Sequence, residues 1–259
     1  MSSTTTPPTD PGRPAWAPPG WMPAPPPTDP RAALSVRGLV KFFGARCAVA
    51  GIDLDVPVGS LFGLVGPNGA GKTTLFRVLA GLERPQAGTV RVGGAVGSRV
   101  PAADLGFLPE EAADLPRLTP RQACRLDAAL RGLELTDAQI DAQLGRLGAA
   151  GFADTPTRRL SQGMAKRSAI ARALLGEPDV VVLDEPLNAL DVATVIALKE
   201  ELRRCRERGA AVLLSSHVLD LVDESCSRVV LLDRGRVVET VDVTGGRGTA
   251  ERAYRRLFG

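Results

Sequence analysis

The 259 residues contain one histidine, His217, and only four cysteines. Cys47, Cys124, Cys205 and Cys226 lie 21 or more residues apart. That spacing excludes a CxxC metal knuckle and fits reduced thiols in the cytoplasm. Long apolar runs are missing as well. Val180-Val-Val-Leu183 and Val229-Val-Leu-Leu232 are typical of those present, far short of the ~20 apolar residues that span a bilayer. The N-terminus has no basic stretch followed by an apolar one, so no secretion signal is expected. Charge of one sign is also lacking. A net charge of +3 gives no reason to expect nucleic acid as the main partner.

What is present supports a sizeable core, since 44% of the residues are hydrophobic. The length allows one large domain or two small ones. Residues 1–30 hold 11 of the 21 prolines. Such a segment cannot bury enough apolar surface to offset its ordering entropy, so a disordered proline-rich tail is expected over 1–32.

From Leu34 the pattern changes. "LSVRGLVKFF" and "GIDLDVPVG" alternate apolar and polar residues, as half-buried strands do. "SLFGLVG" reads as a buried strand, "KTTLFRVLAGL" as a helix closed by Gly81, and "GTVRVGG" as a short strand. Residues 119–160 read as helical, with capping-box starts at Thr119 and Thr136. Ser161 opens a further helix ending near Gly176. After it come the strand "VVVL", the helix "VATVIALKEELRRCRERG", the strand "AAVLLSS", another helix and the hairpin "RVVLLDRGRVVE". Strands alternating with helices predict an α/β fold with a mostly parallel sheet, into which a helical block is inserted.

"GPNGAGKTT" carries the chemistry. Gly66, Pro67, Asn68, Gly69, Ala70, Gly71, Lys72, Thr73 and Thr74 fit G-x-x-x-x-G-K-[ST] between an apolar strand and a helix. Glycines let backbone N–H groups close on phosphate oxygens, and the helix N-terminus adds its positive end. Lys72 can reach β- and γ-phosphates, and the Thr73 hydroxyl can ligate magnesium. "VVVLDEP" is a buried strand ending in two carboxylates. Asp184 emerges at the sheet edge where ligands of open α/β sheets bind, and can hold magnesium. Glu185 can point at a water. His217 follows the strand "AAVLLSS" at the same edge. A lone histidine is usually a packing or surface residue, but this placement predicts a phosphate sensor.

Together with "LSQGMAKR", Leu160 to Arg167, these motifs closely resemble the ATP-binding-cassette ATPases, specifically the detached ATPase subunit of a transporter. The resemblance covers Leu34 to Val243. It implies a P-loop NTPase core over 33–244 with an antiparallel β subdomain and an inserted α-helical subdomain over about 111–175. Gly66–Thr74 resembles Walker A and Val180–Glu185 Walker B. Ser161, Gln162 and Gly163 resemble the signature that contacts the γ-phosphate of ATP held by a partner subunit, Asp191 lies in a D-loop, and Phe43 sits where the family stacks adenine. A P-loop alone would allow kinases and GTPases; the signature excludes most of them. Two departures stand out. Glu110 in "GFLPEE" replaces the Gln that contacts magnesium and water and moves with the permease, and Gln162 replaces a signature Gly. Both are similar to a subgroup associated with drug, antibiotic or ion export.

The resemblance implies ATP and Mg2+ as cofactors and a head-to-tail homodimer. It also implies a separate integral-membrane permease and a peripheral place at the inner face of the cell membrane, with Lys72, Glu185 and His217 as the catalytic set. A soluble cassette ATPase acting on ribosomes or DNA is the alternative, although such proteins usually carry paired cassettes or long insertions. A dead scaffold is disfavoured by the intact Lys72, Asp184, Glu185 and His217. The last strand is followed by about 16 residues, which leaves little room for a regulatory domain. The closing basic segment, 245–259, is expected to be a solvated helix face.

Overall fold

A computed structural model describes residues 31–93, 95–97, 104–111, 116–244 and 246–259. The proline-rich stretch 1–30, expected from sequence to be disordered, lies outside the described residues. Two sheets form. The strands β1 (Ala32–Phe43), β2 (Arg46–Pro57), β4 (Ala87–Val92) and β5 (Ala95–Gly97) make an antiparallel sheet in the order β2-β1-β4-β5. The second sheet runs β10-β9-β3-β8-β7-β6, built from β3 (Leu61–Val65), β6 (Leu105–Leu108), β7 (Val180–Leu183), β8 (Ala211–Ser215), β9 (Arg228–Asp233) and β10 (Arg236–Asp242). All its pairs are parallel except the β9–β10 hairpin.

The continuous apolar runs are explained by burial on both faces. Along β7, Val180 and Val182 face a core shared with the antiparallel sheet and helix α1 (Lys72–Leu79), while Val181 and Leu183 face the remaining helices. Strands β8 and β9 divide their residues the same way, as a period of two requires.

The inserted block between β6 and β7 holds α2 (Pro120–Arg131), α3 (Asp137–Arg146) and α4 (Gln162–Ala173). Thr119 and Thr136 both close capping boxes, with Gln122 and Gln139, each contributing about 1 kcal/mol to the helix start. The helix does not run on to residue 160. Gly148 at φ 65° ends it, and 147–160 folds instead as turns with two short 3-10 segments, Ala150–Phe152 and Thr157–Arg159, the second entered through Pro156.

Helices α5 (Val192–Glu207), α6 (Leu219–Ser225) and α7 (Thr249–Phe258) complete the second face. The closing segment, read from sequence as a solvated face, is amphipathic. Ala250 and Ala253 are buried, Tyr254 and Phe258 pack on the core with ring centroids 4.9 Å apart, and the Ala250 N–H donates to Asp223 Oδ1 at 2.8 Å. Arg252, Arg255, Arg256 and Leu257 of α7 are exposed to solvent.

Candidate active site

Parallel pairing brings four strand ends to one edge. Leu108 pairs with Leu183, Leu183 with Leu214, and Leu64 with Ser215. The loops after β3, β6, β7 and β8 therefore leave together, carrying Gly66, Glu110, Asp184-Glu185 and Ser216-His217. The sequence pattern had placed three of these strands; the four-residue β6 is the fourth.

The loop from Gly66 to Thr74 wraps the start of α1. Gly71 sits at φ 109°, and a Cβ there would lie 2.3 Å from the Ala48 carbonyl oxygen, so only glycine closes the loop against β2. The hairpin tip behind it also shapes the loop. The Gly235 N–H donates to the Ala70 carbonyl at 2.7 Å, and the Ala50 N–H to the Gly235 carbonyl at 2.8 Å. Lys72 folds over the loop, donating from Nζ to the carbonyls of Gly66 at 2.6 Å and Pro67 at 3.2 Å.

Facing the loop are the carboxylates. Asp184 is 1% exposed. Ser215 Oγ donates to its Oδ1 at 2.6 Å and accepts from the Glu185 N–H at 2.8 Å, so one buried hydroxyl holds both acidic residues. Asp184 Oδ2 is buried and has no hydrogen-bond partner. It is the orphan that a divalent cation would satisfy, and the Thr73 hydroxyl is a further hard oxygen donor on the cavity wall. Glu185 adopts φ 46°, a sparsely populated conformation for a side-chain-bearing residue and one that clusters at functional sites. Its Oε2 meets His217 Nδ1 at 2.9 Å. The histidine side chain is otherwise open to solvent, so its Nε2 is free for a ligand.

Between these walls lies a cavity of about 610 Å3, the size of ordinary small-ligand sites. Asn68 to Thr74, Glu110, Asp184 and Glu185 line one part, and Phe43, Arg46 and Ala48 another. Lys41 Nζ lies 4.8 Å from the Phe43 ring centroid and is itself held by Glu83 at 3.0 Å, which leaves the other ring face for stacking. Arg46 was not singled out from sequence. It pairs opposite Phe43 across the β1–β2 turn and donates to the Gly69 carbonyl at 3.3 Å. The only signal for it was the turn at Gly44, which sets that register.

Ser161, Gln162, Gly163 and Asp191 do not line this cavity. They form a second surface of their own. Ser161 caps α4 by accepting from the Met164 N–H at 3.3 Å. Asp191 caps α5 by accepting from the Thr194 N–H at 2.8 Å and pairs with Arg167 at 2.5 Å. A Cβ on Gly163 would approach the Ala189 carbonyl oxygen to 2.8 Å, so the two loops pack backbone to backbone.

A family model described as ABC transporter matches residues 49–188. The chain is 34% identical over 214 residues to the Nod factor export ATP-binding protein I of Paraburkholderia xenovorans, covering 81% of this chain and 70% of that protein. It is 36% identical over 259 residues to the aliphatic sulfonates import ATP-binding protein SsuB 1 of Mesorhizobium japonicum, covering 91% and 95%. Among solved structures, an ATP-binding subunit of an ABC transporter superposes with a TM-score of 0.80 at 26% identity, covering 88% of this chain and all of that one. The matched region holds the P-loop, Glu110, Gly163 and the Asp184–Glu185 pair, and the chain accordingly belongs to the ABC transporter family, among its ATP-binding cassette ATPases.

Proposed function

We propose that ATP occupies the cavity, that two copies close head to tail around two ATP molecules, and that this closure drives a separate membrane permease exporting a drug, antibiotic or other small molecule. The observation that carries the reading is the separation of two surfaces. One cavity is lined by Lys72, Asp184 and Glu185, with His217 reaching it only through its contact to Glu185, while Ser161, Gln162, Gly163 and Asp191 do not line it. A signature that cannot reach its own cavity completes that of a second copy, and a symmetric pair then makes two equal sites.

Within the site, Phe43 stacks the adenine and Arg46 lies between base and phosphates. Backbone N–H groups of the loop and Lys72 bind the β- and γ-phosphates. Asp184, Thr73 and Glu110 would hold magnesium, which supplies positive charge against the phosphate oxygens. Glu185 accepts a proton from the water that attacks the γ-phosphorus. As that P–O bond forms, the bond to the bridging oxygen breaks and leaves ADP and phosphate. His217 meets Glu185 through Nδ1 at 2.9 Å and offers Nε2 as a hydrogen-bond partner to the γ-phosphate.

Among the described residues no helix is long and apolar enough to cross a membrane, so the motion passes to another chain at the inner membrane face. The inserted helices beside Glu110 are the contact surface in this reading. Leu126 and Leu130 on α2 are exposed, as a docking face requires. Export rests on the resemblance carried by Glu110 and Gln162; the relatives include both an export and an import subunit.

Copurification with a multispanning permease, and stimulation of ATP turnover by it, tests the reading; a ribosome- or DNA-stimulated ATPase would replace it. Glu110→Gln is expected to stay partly active, and Glu110→Ala to lose permease stimulation while keeping basal turnover measurable. Full stimulation of the Ala variant would remove Glu110 from the coupling path. Arg46→Ala is expected to weaken ATP binding about fivefold, the effect of ~1 kcal/mol at an exposed charge. Equilibrium binding of a fluorescent ATP analogue checks this, and an unchanged Kd takes Arg46 out of the site.

A further inference from the structure

Lys166 is a buried cation that the mechanism above does not use. It lies one turn into α4, the helix that begins at the signature, and is 5% exposed. Its Nζ donates to the Glu110 backbone carbonyl at 3.0 Å. Among the described residues it has no ion pair. Burial pulls its pKa below the ordinary lysine value, and the fields of Asp184, Glu110 and Glu185, in that order, work against this. Burying an ammonium without a paired carboxylate is unfavourable, and an apolar side chain would pack there at less expense. The lysine therefore has work to do where it sits. Three carboxylates line the cavity, and ATP adds further negative charge beside them. Lys72 stands on the phosphate-loop side; Lys166 stands behind the acidic side.

We propose that Lys166 is a positioning residue: its ammonium pins the Glu110 carbonyl, holding the turn that presents Glu110 to the cavity, and places fixed positive charge behind Asp184 and Glu185. The signature helix of a chain thereby sets the acidic wall of that chain's own site. This rests on the nucleotide-site reading above.

The test compares Lys166→Met, which removes donor and charge, Lys166→Gln, which keeps a donor, and Lys166→Arg, which keeps both. Three readouts are needed: kcat and KM for ATP, the magnesium dependence of fluorescent ATP-analogue binding, and the thermal melt. The Met variant is expected to lose about tenfold or more in kcat with KM within about threefold, since a displaced turn misplaces the reacting groups. In the Gln variant, whose donor keeps the Glu110 turn in place, loss of the cation beside the carboxylates draws magnesium more strongly, so half-saturation should fall by about threefold. Lys166→Arg should restore both values to near the parent. A residue that only packs would leave magnesium half-saturation unchanged or raise it, and Arg would fit no better than Met; either result overturns the proposal. The magnesium titration is read on the Gln variant, and if that variant loses its cooperative melt the lysine belongs to fold stability and the proposal falls. A parent chain without magnesium-dependent ATP binding or turnover would instead overturn the nucleotide-site reading; an active parent with unchanged variants overturns only the role of Lys166.

Discussion

Glu185→Gln is expected to bind ATP as the parent does and to hydrolyse it about 10²–10⁴-fold more slowly, the usual contribution of a general base. The amide keeps the shape of the side chain and still meets His217, 2.9 Å from Oε2 in the parent. It loses the charge that accepts the proton. Asp184, which would hold the magnesium, is fixed by Ser215 Oγ at 2.6 Å and not by the Glu185 side chain, so the binding half of the site survives. His217→Ala should also lose turnover, because the γ-phosphate and Glu185 lose their shared partner. Its affinity for ATP should fall too, which Glu185→Gln should not show. Single-turnover hydrolysis and equilibrium binding, measured on both variants, separate the two roles. Parent-rate hydrolysis by His217→Ala would make the lone histidine a bystander.

Lys72→Ala should fail earlier, at binding. In the parent the ammonium lies over the phosphate loop on the carbonyls of Gly66 and Pro67, within reach of any phosphate the loop takes up. A hydrogen bond to a charged group contributes ~1.5–3 kcal/mol, so losing it should weaken ATP binding about 10–150-fold and stop turnover. The fold should be unaffected, since what the side chain gives up is two bonds to its own loop. The thermal melt and the ATP dissociation constant check both halves. Parent-like binding would move the phosphates away from the loop.

Much of this was legible in the chain, and the reasons are local. Gly66–Thr74 is a contiguous motif, the runs before Gly66, Asp184 and Ser215 mark strands by length and β-branching, and Thr119-Pro120-Arg-Gln122 announces its own cap. What stayed hidden depends on partners far along the chain. Ser215 binds Asp184 and the Glu185 backbone from 31 and 30 residues away, and nothing in "LLSSH" says which serine does so. Gly235 supports Ala70 from the tip of the neighbouring β9–β10 hairpin, far along the chain. Arg46 enters the cavity because a hairpin register sets it opposite Phe43. Lys166 reads as an ordinary helix lysine until α4 is packed under Glu110. The short β6 strand gives too few residues for a period to show, and α7 looked solvated because its arginines outnumber the two alanines that bury it.

The head-to-tail pair is the claim on which the rest depends, and Glu185→Gln tests it because ATP bound there is not consumed. Its mass should be measured by size-exclusion chromatography with light scattering, with and without saturating ATP and magnesium. The mass should be that of one chain without nucleotide and of two chains with it, and the pair should dissociate when Ser161 is also replaced by a bulky residue. A single-chain mass at saturating ATP, in a variant shown to have ATP bound, would contradict it.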